Sequence, residues 1–223
     1  MGKRVGMITI GQSPRDDVTP DFIKIIGEDV EIIQKGALDG LSLDEIEKMK
    51  PVEGVYTLVT RLKDGKQVMI SKDSIIPRMQ KMISELDEKD INPILLLCTG
   101  DFPKFQANSI LLESQKILHY SVKGIVGTGR LGVLTPAIEQ VEQAKIKWKT
   151  SDIEAVAAFG SPYAEGDEFL KGIKELSEAD IHFIVMDCMG YTTRMKEKAA
   201  EITKKPIILA RTLVARIMAE IIS

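Results

Sequence analysis

The chain has 223 residues, 44% hydrophobic and 28% charged, with a formal net charge of −3. That is enough for one large or two small α/β domains, with the balance of an ordinary globular protein. The charge offers no basic surface for nucleic acid, and no apolar run approaches the roughly 18 residues of a membrane span, so a cytoplasmic protein is expected.

Val5 to Ile10 reads as a first strand, too short and too polar for a signal-peptide core. Gly11-Gln12-Ser13-Pro14-Arg15 makes a turn, and a helix is predicted from about Thr19 with Pro20 at its first position. Val30 to Gln34 is a second strand. Ser42-x-x-Glu45 is a capping box opening a short helix to about Lys50. Val55 to Leu62 and Gln67 to Ser71 flank Asp64-Gly65, the signal of a hairpin inserted near residues 55–71. A helix from Lys72 to about Glu88 leads to an apolar run ending at Cys98, and Ser114 to Val126 is helical.

The second half repeats the theme. Leu131 to Leu134 is a strand, and Thr135-Pro136 is expected to cap a helix running to about Trp148. Ala155 to Phe159 is a strand, followed by Ser161-Pro162-Tyr163 and a helix around Glu165 to Glu178. A run ending at Cys188 precedes a helix around Thr193 to Thr203, a last strand at Pro206 to Leu209, and a closing helix from Thr212 to Ile222. Alternation of strand and helix predicts parallel sheets with covered faces. The break falls near Gly127-Thr128-Gly129, giving an N-terminal lobe of 1–127 and a C-terminal lobe of 128–223, with the last helix expected to pack back on the first lobe. The halves share too little identity, read side by side, to prove a repeat, yet the 90-residue offset between Cys98 and Cys188 is close to half the chain.

The chain's two cysteines each end an apolar run, Pro93 to Asp101 and His182 to Tyr191. Each run reads as a buried strand, a thiol, a glycine turn and then a helix. The C-terminal ends of strands are where open α/β sheets place ligands. Three readings stand: a disulfide, which a cytoplasmic compartment disfavours; two independent buried thiols; or a functional acid/base pair. Glycine after each thiol frees backbone amides to point at an anion.

The segment Ile8-Thr9-Ile10-Gly11-Gln12-Ser13-Pro14-Arg15-Asp16, the turn Asp187-Cys188-Met189-Gly190 and the C-terminal Leu213-Val214-Ala215-Arg216 resemble the AroM family over essentially the whole chain. The two cysteine turns and Gly132-Val133-Leu134-Thr135 are similar to the wider Asp/Glu/hydantoin racemase superfamily. The resemblance implies two pseudo-symmetric α/β lobes, mainly parallel sheets flanked by helices, and a cleft between them. It implies that one thiolate removes a proton next to a carboxylate or carbonyl while the other thiol returns one from the opposite face. Cys98 and Cys188 match those two positions. Cys188-Met189-Gly190 is similar to the Cys-x-Gly turn of hydantoin-type racemases, and Cys98-Thr99-Gly100-Asp101 matches their first turn more loosely.

Around this pair, Arg15 is a candidate carboxylate clamp, since guanidinium binds carboxylate in a bidentate fork; its alternative is pairing with Asp16 and Asp17. Gly11, Gln12 and Ser13 share its turn. Thr99, Gly100, Met189 and Gly190 flank the thiols, and Thr135, Ser161 and Tyr163 sit at neighbouring strand ends, where capping and turn formation are the competing readings. Arg211 follows the last strand, placed to reach the cleft or to pair with an exposed acid. Gly127-x-Gly129-x-x-Gly132 spells a dinucleotide fingerprint but precedes its strand, so it is rejected. His119 and His182 read as packed or surface side chains, and Trp148 as packing. No metal or cofactor is expected. The partners expected are a small carboxylate or related metabolite, with neither nucleic acid nor membrane, and self-association left open. Two functions are carried forward: a cofactor-independent racemase or isomerase acting on a small carboxylate or cyclic amide, and a non-catalytic small-acid-binding regulatory protein, tied by the family name to aromatic-acid metabolism.

Overall fold

The computed structural model describes residues 3–150, 152–164 and 166–223. The chain separates into two compact units, the first running to Gln115 and regaining Ala215–Ser223, the second Lys116–Val214.

The first unit is built on four parallel strands: β1 (Lys3–Thr9), β2 (Val30–Gly36), β5 (Ile94–Leu97) and β6 (Leu111–Glu113), in the order β2-β1-β5-β6. Helix α1 (Thr19–Ile26) follows β1, with proline in its first turn as the sequence predicts. The capping box forms at α2 (Leu43–Glu47): Glu45 N–H donates to Ser42 Oγ at 3.3 Å, and Ser42 N–H donates back to Glu45 Oε2 at 2.8 Å. The inserted hairpin pairs β3 (Thr57–Arg61) with β4 (Gln67–Ser71) around Gly65, whose φ of 95° only glycine adopts easily. Helix α3 (Lys72–Asp87) covers the sheet through Ile75, Met79, Ile83 and Leu86.

Strand β6 was not among the predicted elements, and Cys98 does not feed a helix as expected. After Gly100 the chain crosses through residues 101–110 in irregular conformation before pairing at Leu111. Pro103 denies this run a helix's hydrogen bonding. Side chains of α3 hold it instead: Asp87 accepts the N–H groups of Asn108 and Ser109 at 2.8 and 2.9 Å, and Gln80 pairs with the Gln106 backbone at 2.8 and 2.9 Å. Helix α4 (Ser114–Val126) then begins where predicted.

The second unit reproduces the plan with β7 (Gly129–Thr135), β8 (Ile153–Phe159), β9 (Phe183–Met186) and β10 (Ile207–Leu209), all parallel, in the order β8-β7-β9-β10. Its helices are α5 (Val141–Trp148), α6 (Glu168–Glu178) and α7 (Thr193–Thr203), and α8 (Ala210–Ile222) closes the chain. Thr135 does not cap α5. Its hydroxyl is shared between the carbonyls of Ala137 and Ala158, and a 3-10 turn at Ile138–Gln140 intervenes before the helix. The expected helix start at Glu165 lies outside the described residues.

One segment of the first unit recurs in the second, with ten of the twenty positions from 81 to 100 identical at an offset of 90. Lys81, Ile83, Glu85, Leu86, Glu88, Asp90, Ile91, Ile94, Cys98 and Gly100 recur 90 positions on as Lys171, Ile173, Glu175, Leu176, Glu178, Asp180, Ile181, Ile184, Cys188 and Gly190. The matching residues do the same packing. A side chain on Gly6 of β1 would strike Leu86, Ile91 and Ile94; one on Gly132 of β7 would strike Leu176, Ile181 and Ile184. The pairing Arg4–Glu31 across β1 and β2 recurs as Arg130–Glu154 across β7 and β8, each at 3.3 Å. The repeat is diluted by the hairpin and by the two different crossovers after the thiols, which shift the rest of the alignment out of a single offset.

Candidate active site

The sheet register places the two thiols identically, each within its own unit. Gly6 of β1 pairs with Ile94, four residues before Cys98; Gly132 of β7 pairs with Ile184, four residues before Cys188. Both lie just past the C-terminal end of the strand next to the central one, the end where parallel sheets expose ligand-binding loops. Both turns close the same way. Gly100 N–H donates to Cys98 Sγ at 3.3 Å, and Gly190 N–H donates to Cys188 Sγ at 3.4 Å. Neither thiol is in a disulfide; Cys98 is half-buried and Cys188 is 8% exposed.

The surroundings then diverge. In the first unit, hairpin strand β3 lies over the C-terminal end of the sheet. Leu58 Cδ2 and the Phe102 ring occupy the space a side chain on Gly100 would need, and Asp101 N–H donates to Tyr56 Oη at 3.3 Å. Gly11 is glycine because the hairpin backbone comes within 2.5 Å of where its Cβ would lie, at Arg61 O. Thr60 Oγ1 faces the same point, fully buried and with no hydrogen-bond partner among the described residues.

The turn after β1 is internally satisfied. Arg15, 4% exposed, donates from Nε and Nη2 to the two oxygens of Asp17 at 2.7 and 2.8 Å, and from Nη1 to Thr9 Oγ1 at 3.2 Å. Its bidentate fork is therefore spent on Asp17, the pairing that the sequence offered as the alternative to a substrate clamp. Ser13 Oγ and N–H both donate to Asp39, and Gln12 Oε1 accepts Lys63 N–H at 2.8 Å, tying the turn to the hairpin. Thr99 is buried beside Cys98.

In the second unit the turn is braced from below. Asp187 and Lys147 form an ion pair at 2.8 Å, their side chains 5% and 11% exposed, and Trp148 Nε1 donates to the same Asp187 oxygen at 2.7 Å. Arg211, 1% exposed, donates from Nε to Met189 O at 2.9 Å and from Nη2 to Gly190 O at 3.1 Å. It supports the turn from a buried position. Tyr191 Oη donates to Gly160 O at 2.8 Å. Burial first, and then the neighbouring Cys188, Asp187 and Tyr163, push its phenol well above the ordinary value of 10.0, so it remains a donor at any ordinary pH. Ser161 Oγ accepts the N–H groups of Tyr163 and Ala164 at 3.0 and 3.1 Å, forming the turn that delivers Tyr163. Tyr163 Oη lies 3.8 Å from Cys188 Sγ, over the bare Cα of Gly190. Asp187, Lys147 and Tyr191 were not singled out from sequence. The one signal available was the charged Asp187 inside an otherwise apolar run, which demands a buried partner.

Trp148 is core, as read, and His119 stacks against it with ring centroids 5.3 Å apart. Among the described residues no group of three His, Cys, Asp or Glu side chains could hold a metal ion, and no helix is long and apolar enough to cross a membrane.

The family profile described as AroM protein matches residues 5–222. A search of curated protein sequences finds no match. Among solved structures, glutamate racemase from Aquifex pyrophilus is similar at a TM-score of 0.61 and 14% identity, over 99% of this chain and 84% of that one. Arylmalonate decarboxylase is similar at 0.60 and 12%, over 98% and 92%. Picrophilus torridus aspartate racemase is similar at 0.58 and 14%, over 98% and 94%. The fold is therefore the one shared by the Asp/Glu racemase superfamily.

Proposed function

The chain belongs to the AroM family, and on that footing we propose that it is a cofactor-independent racemase- or isomerase-like enzyme acting on a small carboxylate or cyclic amide, with Cys98 and Cys188 as its acid/base pair. The observation that carries the reading is the repeated Cys-x-Gly turn, at one register position in both sheets, with each sulfur accepting the N–H of the glycine two residues on. A sulfur held by an amide donor is biased toward the thiolate, the form that takes a proton. In the proposed reaction one thiolate removes the proton next to the carboxylate, the resulting enolate is stabilised by amides and hydroxyls of the turns, and the other thiol delivers a proton to the opposite face. Similarity to racemases and a decarboxylase supports the class of chemistry. Arg15 is paired with Asp17 and the N–H groups of Gly100 and Gly190 hold the sulfurs, so in this reading Thr99 and the Met189 N–H meet the substrate carboxylate.

Deuterium wash-in from D2O over a panel of amino acids, hydantoins and aromatic-pathway acids tests this. Exchange at the carbon next to the carboxylate or carbonyl, lost when Cys188 is replaced and no longer accompanied by inversion when Cys98 is replaced, is the expected result. Calorimetric binding of a panel member with no exchange would instead identify a regulatory small-acid-binding protein.

A further inference from the structure

The repeat leaves one difference at the thiols that the superfamily chemistry does not call for. Where the first unit covers Gly100 with Leu58 and Phe102, the second covers Gly190 with the phenol of Tyr163. A Cβ on residue 190 would sit 2.3 Å from Tyr163 Oη, so glycine there is what admits the ring. Ser161 fixes the approach by accepting two backbone N–H groups of the loop.

We propose that Tyr163 is a positioning residue that holds Cys188 as the resting thiolate by donating its O–H to Sγ, which makes the two thiols unequal. The inference rests on the enzymatic reading only for its consequence, that Cys188 is the thiol that starts as base. Polar groups nearby make contacts of their own. Lys147 and Trp148 serve Asp187, Arg211 serves the carbonyls of Met189 and Gly190, and Tyr191 donates to Gly160. Asp187, next in the chain, is negative and its charge is answered by Lys147. Gly190 N–H at 3.4 Å and Tyr163 Oη at 3.8 Å, within hydrogen-bond range for sulfur, both reach Cys188 Sγ. Hydrogen bonding to the charged form favours it. When Cys188 takes a proton from substrate it becomes a thiol and the phenol keeps its own proton; Tyr163 turns with the sulfur and no proton leaves it.

The test needs no substrate. In Cys98→Ser protein, the thiolate absorbance of Cys188 near 240 nm and its rate of alkylation by iodoacetamide are followed against pH, with Tyr163 intact and as Tyr163→Phe. Phenylalanine keeps the ring and removes the donor. The expected result is an upward move of the midpoint and an alkylation rate at pH 7 lower by about tenfold to a hundredfold, the size of a hydrogen bond to a charged group, with unchanged thermal unfolding. In Cys188→Ser protein the profile of Cys98 should not move with the same substitution. An unchanged Cys188 midpoint in Tyr163→Phe overturns the proposal, as does a Cys188 that shows no thiolate below about pH 9 in wild type. Absence of deuterium exchange alongside the expected shift would remove the enzymatic reading and leave this one standing.

Discussion

Lys147 and Asp187 make a salt bridge that is almost wholly withdrawn from water, and Asp187 is the residue immediately before Cys188. Removing one partner of such a pair costs more than the pair itself contributes, because the survivor stays buried and charged. Lys147→Met should destabilise the protein by about 3–5 kcal/mol, while Asp187→Asn, which keeps an acceptor for Trp148 Nε1, should cost less. Urea unfolding of the two variants checks the order, and equal costs would show that Asp187 is not carrying its charge against Lys147.

The cysteines can be separated by their products. Cys188→Ser should abolish exchange of substrate hydrogen with D2O. Cys98→Ser should retain exchange on one face without inversion, since one base can take and return a proton on the same side. Mass spectrometry gives the exchange and chiral chromatography the configuration.

Their reactivity should also cross with pH. Cys98 is the more exposed, and Tyr163 Oη and Gly190 N–H both reach Cys188 Sγ. At about pH 6.5 iodoacetamide should label Cys188 first, because the thiolate fraction limits the rate. At about pH 9, with both thiols largely ionised, Cys98 should overtake it on access. Peptide mapping of the label follows both, and a small carboxylate ligand should protect Cys188. Labelling of either residue only after denaturation would identify inert core thiols.

Acid should loosen the crossover behind Cys98 first. Burial raises the Asp87 carboxyl, but Ser109 and the backbone N–H groups of Asn108 and Ser109 outweigh it and set it below the ordinary 3.8. A depressed folded value means that the stabilisation is complete above 3.8 and is lost as pH falls through the lower folded value. Hydrogen exchange at Asn108 and Ser109 should accelerate in that window ahead of the β5 amides. Asp87→Ala should show the fast exchange at neutral pH already.

Sequence reading reached the parallel α/β plan because its signals are local. The apolar run of β5, the Ser42 capping box and Asp64-Gly65 each act within a few residues. It missed β6, three residues long and flanked by a crossover held through side chains of α3, contacts that sequence spacing does not encode. The cysteines were legible as strand-end thiols. The fate of Arg15 was not, because Asp16 and Asp17 are equally near in sequence and backbone geometry alone selects Asp17. Asp187 was legible in principle, as a charge in an apolar run, but Lys147, its partner, is 40 positions away.

A chain that carries nearly the same strand twice must avoid threading the wrong copy into a sheet. β5 and β9 are both continuous apolar runs, so apolar pattern alone does not tell one strand's place from the other's. Leu97 and Asp187 occupy the matching position, and they are not interchangeable: β9 placed where β5 belongs would bury a carboxylate without Lys147 or Trp148 to receive it. The carboxylate that braces the thiol turn is thus also a cost against the swapped topology to which tandem repeats are prone.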